Sequence, residues 1–329
     1  MDFELSDEQR ELADGIRRLC LGRLPLEVLR RNERTSRTVD RAAWSELAAA
    51  GVFAMTVPES AGGLGLGLAD AAVVFEELGA GLVPGPLVAT FLAAGRIEGA
   101  ADGSVMVGLA TRPRPGRPGT GVLPCIVEHL AELDVLVVDD GDGLSRVDPR
   151  AVDAAPLERP LDPLTPLSAV PELPAGEPLA GAAEAARWRR DGAALTGALQ
   201  VGLARWACEV AVDYATQRHQ FGRPIGSFQA VKHLCADMVV RTELARAAVH
   251  AGALTVDQPD VGDADRAVAG AKLLADEAAL ANGRASIQVH GGMGFTWEVP
   301  VHLAAKRARV LATHFGTAAD RAAALADGL

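Results

Sequence analysis

An arginine, a phenylalanine and a glycine follow the predicted end of a long helix, in the order Arg218, Phe221, Gly222. A guanidinium at a helix end can donate paired hydrogen bonds to the phosphates of a dinucleotide. The ring of Phe221 offers a flat face to an adenine or a ribose, and Gly222 and Pro224 turn the chain sharply. The alternative interpretation of so short a motif is a basic helix terminus beside a buried aromatic residue.

A second candidate site lies at Gln288–Phe295, where a predicted helix ends on the glycine-rich sequence QVHGGMGF. Gly291 and Gly292 allow backbone N–H groups to approach a phosphate-bearing ligand closely. An ordinary glycine cap at the helix C-terminus is the alternative interpretation. His290 is interpreted as a packed or hydrogen-bonded loop residue and not as a catalyst.

Taken over their full lengths, the two segments resemble the acyl-CoA dehydrogenase family of flavoenzymes. The first segment runs from Tyr214 to Ala230 and the second from Gln288 to Phe295. The loop Val57–Gly67 and the helix end Glu76–Gly79 resemble the N-terminal domain of the same family. The resemblance implies a mainly α fold with a small β domain, in which an N-terminal helical domain, a reduced middle β domain and a C-terminal four-helix bundle follow one another.

The resemblance also implies the cofactor FAD, held in a cradle that one subunit offers to its neighbour. Nine positions are assigned to cofactor binding on this basis: Arg218, Gln220, Phe221, Gln229, Gln288, Val289, His290, Gly291 and Gly292. No G-x-G-x-x-G fingerprint follows a predicted strand, so a Rossmann-type dinucleotide site is excluded.

The sequence departs from the family at the catalytic base. Desaturation of an acyl thioester requires a positioned carboxylate that removes the α-proton. The family's Y-E-G-T motif reads H-F-G-T here, so that Phe315 stands at the glutamate position, and the alternative base position falls near Gly192. Neither side chain accepts a proton. His314 aligns with the family's tyrosine and is interpreted as non-catalytic. Three carboxylates are interpreted as surface or interhelix charges: Asp191, Glu209 and Asp213.

The middle domain shows a second departure. The family's loop of the type T-E-P-x-A-G-S-D, which covers the flavin ring, is absent. After Leu109 and Ala110 the chain instead continues as TRPRP over residues 111–115. The tryptophan-bearing strand that flanks the flavin is also missing, and we expect a shortened middle domain.

These features predict a subunit of a heteromeric acyl-CoA dehydrogenase that lacks a catalytic residue of its own. The chain resembles the degenerate subunit of the α2β2 enzymes that actinobacteria use on CoA thioesters of steroid side chains. A paralogous partner would supply the base and most of the acyl-CoA pocket, and an electron-transfer acceptor would reoxidise the flavin. Two alternatives remain, namely a self-sufficient homo-oligomeric enzyme with a relocated base and a non-catalytic scaffold subunit.

Composition limits the partners and the location. The net charge of -11 argues against a nucleic-acid partner. No run of about 18 apolar residues predicts a membrane span, and the N-terminus lacks the features of a signal peptide. We therefore expect a cytoplasmic protein without a membrane partner. The four cysteines lack C-x-x-C and zinc-ligand spacing, and we expect them to be small buried hydrophobes: Cys20, Cys125, Cys208 and Cys235.

Helical periodicity surrounds both candidate segments and determines how they are positioned. The predicted domains are an N-terminal helical domain over 1–103, a shortened β domain over 104–182 and a helical bundle over 183–329 that carries the FAD-binding motifs. Ser6 is the predicted N-cap of the first helix. The spacing predicts strands over 104–110 and 134–139, and helices over 69–79, 194–217, 228–256, 264–288, 301–311 and 318–325.

Overall fold

The structure is a computed structural model that describes residues 5–33, 35, 37–112 and 125–327. Within these residues the chain forms ten α-helices: α1 (Asp7–Arg23), α2 (Leu26–Asn32), α3 (Arg41–Ala49), α4 (Leu68–Ala80), α5 (Leu87–Ala93), α6 (Ala182–Gln217), α7 (Gln229–Asp257), α8 (Ala264–His290), α9 (Val301–Leu311) and α10 (Ala318–Asp327). Most of the proline-rich stretch that replaces the family's flavin-covering loop, from residue 113 to 124, lies outside the described residues. None of the helices in the described part combines the length and the apolar character needed to cross a membrane.

The strands form two small sheets and a hairpin. They are β1 (Val107–Thr111), β2 (Cys125–Glu128), β3 (Val135–Asp139), β4 (Gly143–Val147), β5 (Ala155–Pro156), β6 (Leu167–Val170), β7 (Glu177–Gly181), β8 (His219–Gln220) and β9 (Arg223–Pro224). The four-stranded sheet has the order β1-β3-β4-β7, with β1 parallel to β3 and the other pairs antiparallel. The second sheet has the order β2-β6-β5 and is antiparallel. The predicted fold class, mainly α with a small β domain, is confirmed.

The described residues divide into two compact units. One contains the residues up to 26, residues 67–83 and those from 193 onward, and the other contains residues 27–66 and 84–192. The boundary falls within α6, between Gly192 and Ala193. The first unit therefore joins N-terminal helices to the C-terminal bundle. The division into three consecutive domains stays a prediction.

In the first unit, α4 packs directly against the backbone of α6. A Cβ added to Gly79 would lie 2.2 Å from the carbonyl oxygen of Leu199, and one added to Gly202 would lie 2.0 Å from that of Glu76. Only glycine allows so close an approach at these two positions.

Two buried carboxylates lie on α4 in the same unit. Glu77 accepts from Arg17 at 2.8 Å and from Arg205 at 2.7 Å, while Glu76 accepts from Arg246 at 3.0 Å. Burial by itself would raise the pKa of Glu76, but hydrogen bonds from His250 and Arg246 hold that pKa at about 2. The ion pairs connect α1, α4, α6 and α7 through charged groups that are removed from solvent.

The N-termini of two helices in this unit are capped differently. The predicted N-cap Ser6 is confirmed, since it forms a capping box with Gln9 at the start of α1. Helix α4 begins after Gly67, which has no side chain to offer. Its first two N–H groups, those of Leu68 and Ala69, donate at 2.8 Å to the carboxylate of Asp257, the last residue of α7. A residue far along the chain therefore provides the cap.

Candidate cofactor site at the end of the helical bundle

The first motif forms a tight hairpin immediately after α6. The N–H of Arg218 donates to the carbonyl of Tyr214 at 2.8 Å, and the N–H of Ile225 donates to the carbonyl of Arg218 at 2.8 Å. Strands β8 and β9 pair antiparallel, and Phe221 and Gly222 form the tip with φ angles of 51° and 77°. Arg218 therefore lies at the base of the hairpin, where α6 ends.

The side chains of this hairpin face solvent. The ring of Phe221 is 91% exposed, so the alternative interpretation with a buried aromatic residue is wrong. Arg218, Gln220 and Gln229 are also exposed. The guanidinium of Arg223 lies 4.2 Å from the ring centre of Phe228, and this cation–π contact stiffens the base of the hairpin. An exposed guanidinium and an exposed aromatic face are thus presented together.

The second motif lies at the C-terminus of α8, which ends two residues later than predicted. Gly291 has φ 59° and ψ -138°, a conformation that L-residues with a side chain rarely adopt. A Cβ added to Gly291 or to Gly292 would meet nothing within 4 Å. The backbone of this turn is therefore accessible to a ligand.

The other three predicted residues of the second motif differ in solvent exposure. Gln288 is exposed, while Val289 and His290 are buried, with exposed fractions of 6% and 5%. A ligand at the surface of this turn would meet the backbone of Val289 and His290, and their side chains pack into the bundle.

An aromatic contact brings the two motifs together. The rings of Tyr214, in the last turn of α6, and His290 are stacked with centroids 4.2 Å apart and planes 22° apart. The Nδ1–H of His290 donates to the carbonyl of Ser286 at 2.8 Å. Burial lowers the pKa of His290, so its imidazole is neutral at pH 7. The hairpin after α6 and the glycine turn after α8 thus meet at one end of the bundle.

A second turn follows α9 and carries the H-F-G-T sequence. Phe315 has φ 54° and Gly316 has φ 107°, so that two consecutive residues adopt left-handed backbone conformations. Thr317 directly precedes α10, and its N–H donates to the carboxylate of Asp320 at 2.9 Å. Phe315, at the predicted base position, is half-buried and cannot accept a proton.

A buried polar cluster supports the end of α9. Lys272, which is 0% exposed, donates to Asp276 at 2.5 Å and to the carbonyl of Leu311 at 3.3 Å. Gln200 donates to Asp276 at 2.8 Å and to the carbonyl of Ala308 at 3.0 Å. Each of these donors adds a second hydrogen bond to a carbonyl in the last turn of α9, since Ala308 and Leu311 also accept the backbone N–H groups of Ala312 and His314. The sequence signal for this cluster is a Lys-Asp pair at i,i+4 within an apolar stretch.

The other base position lies in a different environment, within the second unit. Gly192 is buried on α6, and the adjacent Asp191 is 6% exposed, so Asp191 is not a surface charge, while its prediction as an interhelix charge stays a prediction. Asp191 accepts from Arg187 at 3.2 Å and from Arg190 at 3.0 Å, both on its own helix. Burial raises the pKa of Asp191, while the two arginines oppose this shift.

The four cysteines are all free thiols. Cys20 and Cys208 are buried as expected, while Cys125 and Cys235 are half-buried. Burial raises the pKa of Cys20 to about 12, which leaves its thiol unreactive at neutral pH. Among the residues that the structure describes, no three His, Cys, Asp or Glu side chains are grouped as a metal site would require.

Comparison with known families matches both helical parts of the chain. Residues 6–100 match the family description "Acyl-CoA dehydrogenase, N-terminal domain" and residues 190–329 match "Acyl-CoA dehydrogenase, C-terminal domain". The chain belongs to the acyl-CoA dehydrogenase family. Members of this family are flavoprotein oxidoreductases, and FAD is their cofactor.

Two relatives and one solved structure are close. The chain is 36% identical to acyl-CoA dehydrogenase FadE34 of Mycobacterium tuberculosis (strain ATCC 25618 / H37Rv), over 84% of this chain but 40% of FadE34. It is 37% identical to acyl-CoA dehydrogenase IpdE2 of the same organism, over 83% of this chain and 82% of IpdE2. The solved structure "Tcur3481-Tcur3483 steroid ACAD G363A variant" has a TM-score of 0.82 and 26% identity, covering 98% of this chain and 97% of that one.

The exposed groups at the end of the bundle fit FAD in chemical type. A pyrophosphate requires cationic and N–H donors, and the site offers the Arg218 guanidinium together with the open backbone of Gly291 and Gly292. An adenine or ribose requires a flat apolar face, which the ring of Phe221 provides.

Proposed function

We propose that this chain is one subunit of a heteromeric acyl-CoA dehydrogenase and contributes half of an active site. Its share is the cradle for the adenine and pyrophosphate end of FAD, formed by the hairpin after α6 and the glycine turn after α8. A paralogous partner supplies the catalytic base and most of the acyl-CoA pocket. One observation carries the proposal: the cradle groups are exposed and adjacent, while the two base positions hold Phe315 and Gly192.

The chemistry explains why a partner is needed. Removal of the α-proton of an acyl thioester needs a carboxylate within hydrogen-bond reach. FAD, when bound, would supply the acceptor for the hydride that leaves the β-carbon. This chain holds and orients the cofactor through Arg218 and the glycine backbone, and the proton passes to a residue of the partner.

The lengths of the relatives support a second module of similar size. The aligned stretch is 84% of this chain but 40% of FadE34, so FadE34 is about twice as long and has room for another module in the same polypeptide. The Tcur3481–Tcur3483 structure carries the names of two proteins. An α2β2 heterotetramer with a paralogous partner is consistent with both facts.

We assign an acyl-CoA thioester with a bulky, steroid-type acyl group as the substrate class. The support is the 26% identity to a structure described as a steroid ACAD, together with a chain that lacks a base of its own. An electron-transfer protein is the expected acceptor of the reducing equivalents, and we propose a cytoplasmic location.

The structure weakens the self-sufficient alternative. Its most suitable relocated base is Asp191, and this carboxylate is buried and already accepts from two arginines. A general base needs a free lone pair directed at the substrate. The scaffold alternative does not account for an exposed arginine, an exposed phenylalanine and an open glycine turn at one helix end.

The test is to produce this chain alone and together with a candidate paralogous acyl-CoA dehydrogenase that has an intact glutamate base. We expect a colourless chain alone and, with the partner, a yellow heterotetramer that reduces an artificial electron acceptor when acyl-CoA is added. A yellow and active chain without a partner would establish the self-sufficient enzyme and reject the half-site. A complex that stays colourless at saturating FAD would favour the scaffold.

A further inference from the structure

The two arms of the cradle come from distant parts of the chain. The hairpin follows α6 and the glycine turn follows α8, about 70 residues further on. The side chains of Arg218, Gln220 and Phe221 face solvent and Gly291 and Gly292 carry none, so these groups do not hold the arms in register. A cofactor that spans both arms needs a fixed distance between them.

We infer that the ring stack between Tyr214 and His290 is the joint that fixes this distance, so that both are positioning residues for the cofactor. The inference rests on the proposed function for its purpose, although the joint itself is a property of this chain. Tyr214 lies one helical turn before Arg218 and accepts the N–H of Arg218 through its carbonyl at 2.8 Å. His290 directly precedes Gly291. Each ring is therefore adjacent to the cofactor-facing group of its own arm.

Three properties of His290 suit it to a structural joint and not to ligand contact. Its side chain is 5% exposed, so a ligand at the surface of the turn does not reach the ring. Its Nδ1–H is occupied by the carbonyl of Ser286, which orients the imidazole within the last turn of α8. Its lowered pKa keeps it uncharged, and a neutral ring stacks on Tyr214 without the cost of burying a charge.

If the ring stack joins the two arms, a substitution in one arm should affect the other arm, which a purely local packing role would not do. Removing the ring from one arm should loosen the other arm as well, because the stack is the shared contact. In His290→Ala, backbone amides of residues 218–225 should exchange with deuterium roughly three- to tenfold faster, the range expected for loss of one aromatic pair. In Tyr214→Leu the same acceleration should occur at residues 291–295. The middle of α7 should exchange as in the wild type in both variants.

Conservative variants separate the ring from the rest of the side chain. Tyr214→Phe keeps both rings and the hydrogen bond of His290 and should keep wild-type exchange in both arms. His290→Phe keeps the ring but lacks the Nδ1–H donor to Ser286, and its exchange should be much closer to wild type than that of His290→Ala. His233→Ala, at an exposed histidine on α7, is the matched control and should change neither arm. If each substitution accelerates exchange only in its own segment, or if His290→Phe behaves like His290→Ala, the ring stack is not the joint and the inference fails.

FAD binding by the chain together with its partner is the second measurement. It distinguishes the positioning role of the ring stack from the proposed cofactor-binding function. His290→Ala and Tyr214→Leu should weaken FAD binding roughly three- to tenfold, while the two phenylalanine variants retain it. Arg218→Ala is the reference for the cradle. If Arg218→Ala also leaves FAD binding unchanged, the proposed function fails while the exchange measurement still decides the joint. If Arg218→Ala weakens binding and His290→Ala does not, the positioning role alone is rejected.

Discussion

The C-terminal ends of α8 and α9 invite comparison, because each closes a bundle helix with a left-handed turn. After α8, Gly291 takes the positive φ and the turn leaves its backbone open. After α9, Phe315 and Gly316 both take positive φ, although phenylalanine adopts this conformation at a cost. One turn keeps the residue types that bind an anion, whereas the other keeps a strained backbone and has no base.

The comparison indicates that, after α9, the conformation of the turn and the chemical type of its side chain depend on different residues. At α9 the buried cluster of Lys272, Asp276 and Gln200 holds the helix end, and this cluster does not depend on the residue at position 315. A base can therefore be replaced by phenylalanine while the turn remains. In our proposal the backbone N–H groups after α8 bind the ligand, so that a change in the conformation of this turn would also change its binding groups.

The largest effect is expected from Lys272→Met, which removes the support of α9. Asp276 would keep a buried negative charge without its partner, and breaking a buried pair in this way costs about 3–5 kcal/mol. Urea denaturation should show this loss of stability, and Lys232→Met, at an exposed lysine, should show little change. The double variant Lys272→Met with Asp276→Leu should recover most of the stability. Equal losses in the single and double variants would contradict the assigned role of the ion pair.

The next effect is expected at the hairpin after α6 and concerns the cofactor, not folding. Arg218→Ala removes a charged hydrogen-bond donor, worth about 1.5–3 kcal/mol, and should weaken FAD retention in the assembled complex by about tenfold or more. Thermal stability without cofactor should stay close to wild type because the side chain is exposed. Unchanged flavin occupancy after extensive dialysis would exclude Arg218 from the cradle.

A smaller effect separates the two glycines of the α8 turn. Gly291→Ala forces a side chain into a positive-φ conformation at a cost of about 1–2 kcal/mol. Gly292→Ala is the matched control, because it has open space and no positive φ, and should be nearly neutral. Chemical denaturation of the two variants side by side tests the comparison. Similar stabilities would mean that the backbone at Gly291 is not constrained as described.

The smallest effect is expected at the positions nearest to the missing base. His314→Ala and Asp191→Asn should each leave turnover by the reconstituted complex within a few-fold of wild type, because the base belongs to the partner. Loss of a true general base reduces the rate by about 10²–10⁴-fold. The assay is acyl-CoA-dependent reduction of an artificial acceptor, with bound FAD measured in parallel. A loss of that size with FAD retained would place the base in this chain.

The sequence predicts the bundle well and the β region less well. The limits of α9 are as predicted, and those of α7 and α8 differ from prediction by one or two residues, because apolar periodicity and glycine stops define them. Helix α6 begins at Ala182, twelve residues before the predicted start. Its first turns are charged and lack an apolar stripe, and they are stabilised by ion pairs such as Glu184–Arg187 and Arg187–Asp191. Among the described residues between 107 and 181 seven strands form, where the sequence pattern predicts two.

The candidate site divides in the same way. The candidate cradle residues are assigned to cofactor binding because their types and spacing resemble a family motif, and this role stays a prediction. The Tyr214–His290 stack and the Lys272–Asp276–Gln200 cluster join residues that are far apart in the chain, and no local pattern indicates such contacts. The burial of Asp191 also depends on tertiary packing, which a run of charged residues does not reveal.

The cap that Asp257 provides for α4 has a consequence for synthesis on the ribosome. Residue 257 leaves the ribosome long after residue 68, and at about 5–20 residues per second the 189 intervening residues take on the order of 10–40 s. During this interval α4 lacks its cap, and the carboxylates of Glu76 and Glu77 lack Arg205 and Arg246. The N-terminal helices of the first unit therefore complete their folding after translation of the C-terminal bundle, and a nascent chain stalled before α7 would expose them to chaperones and proteases.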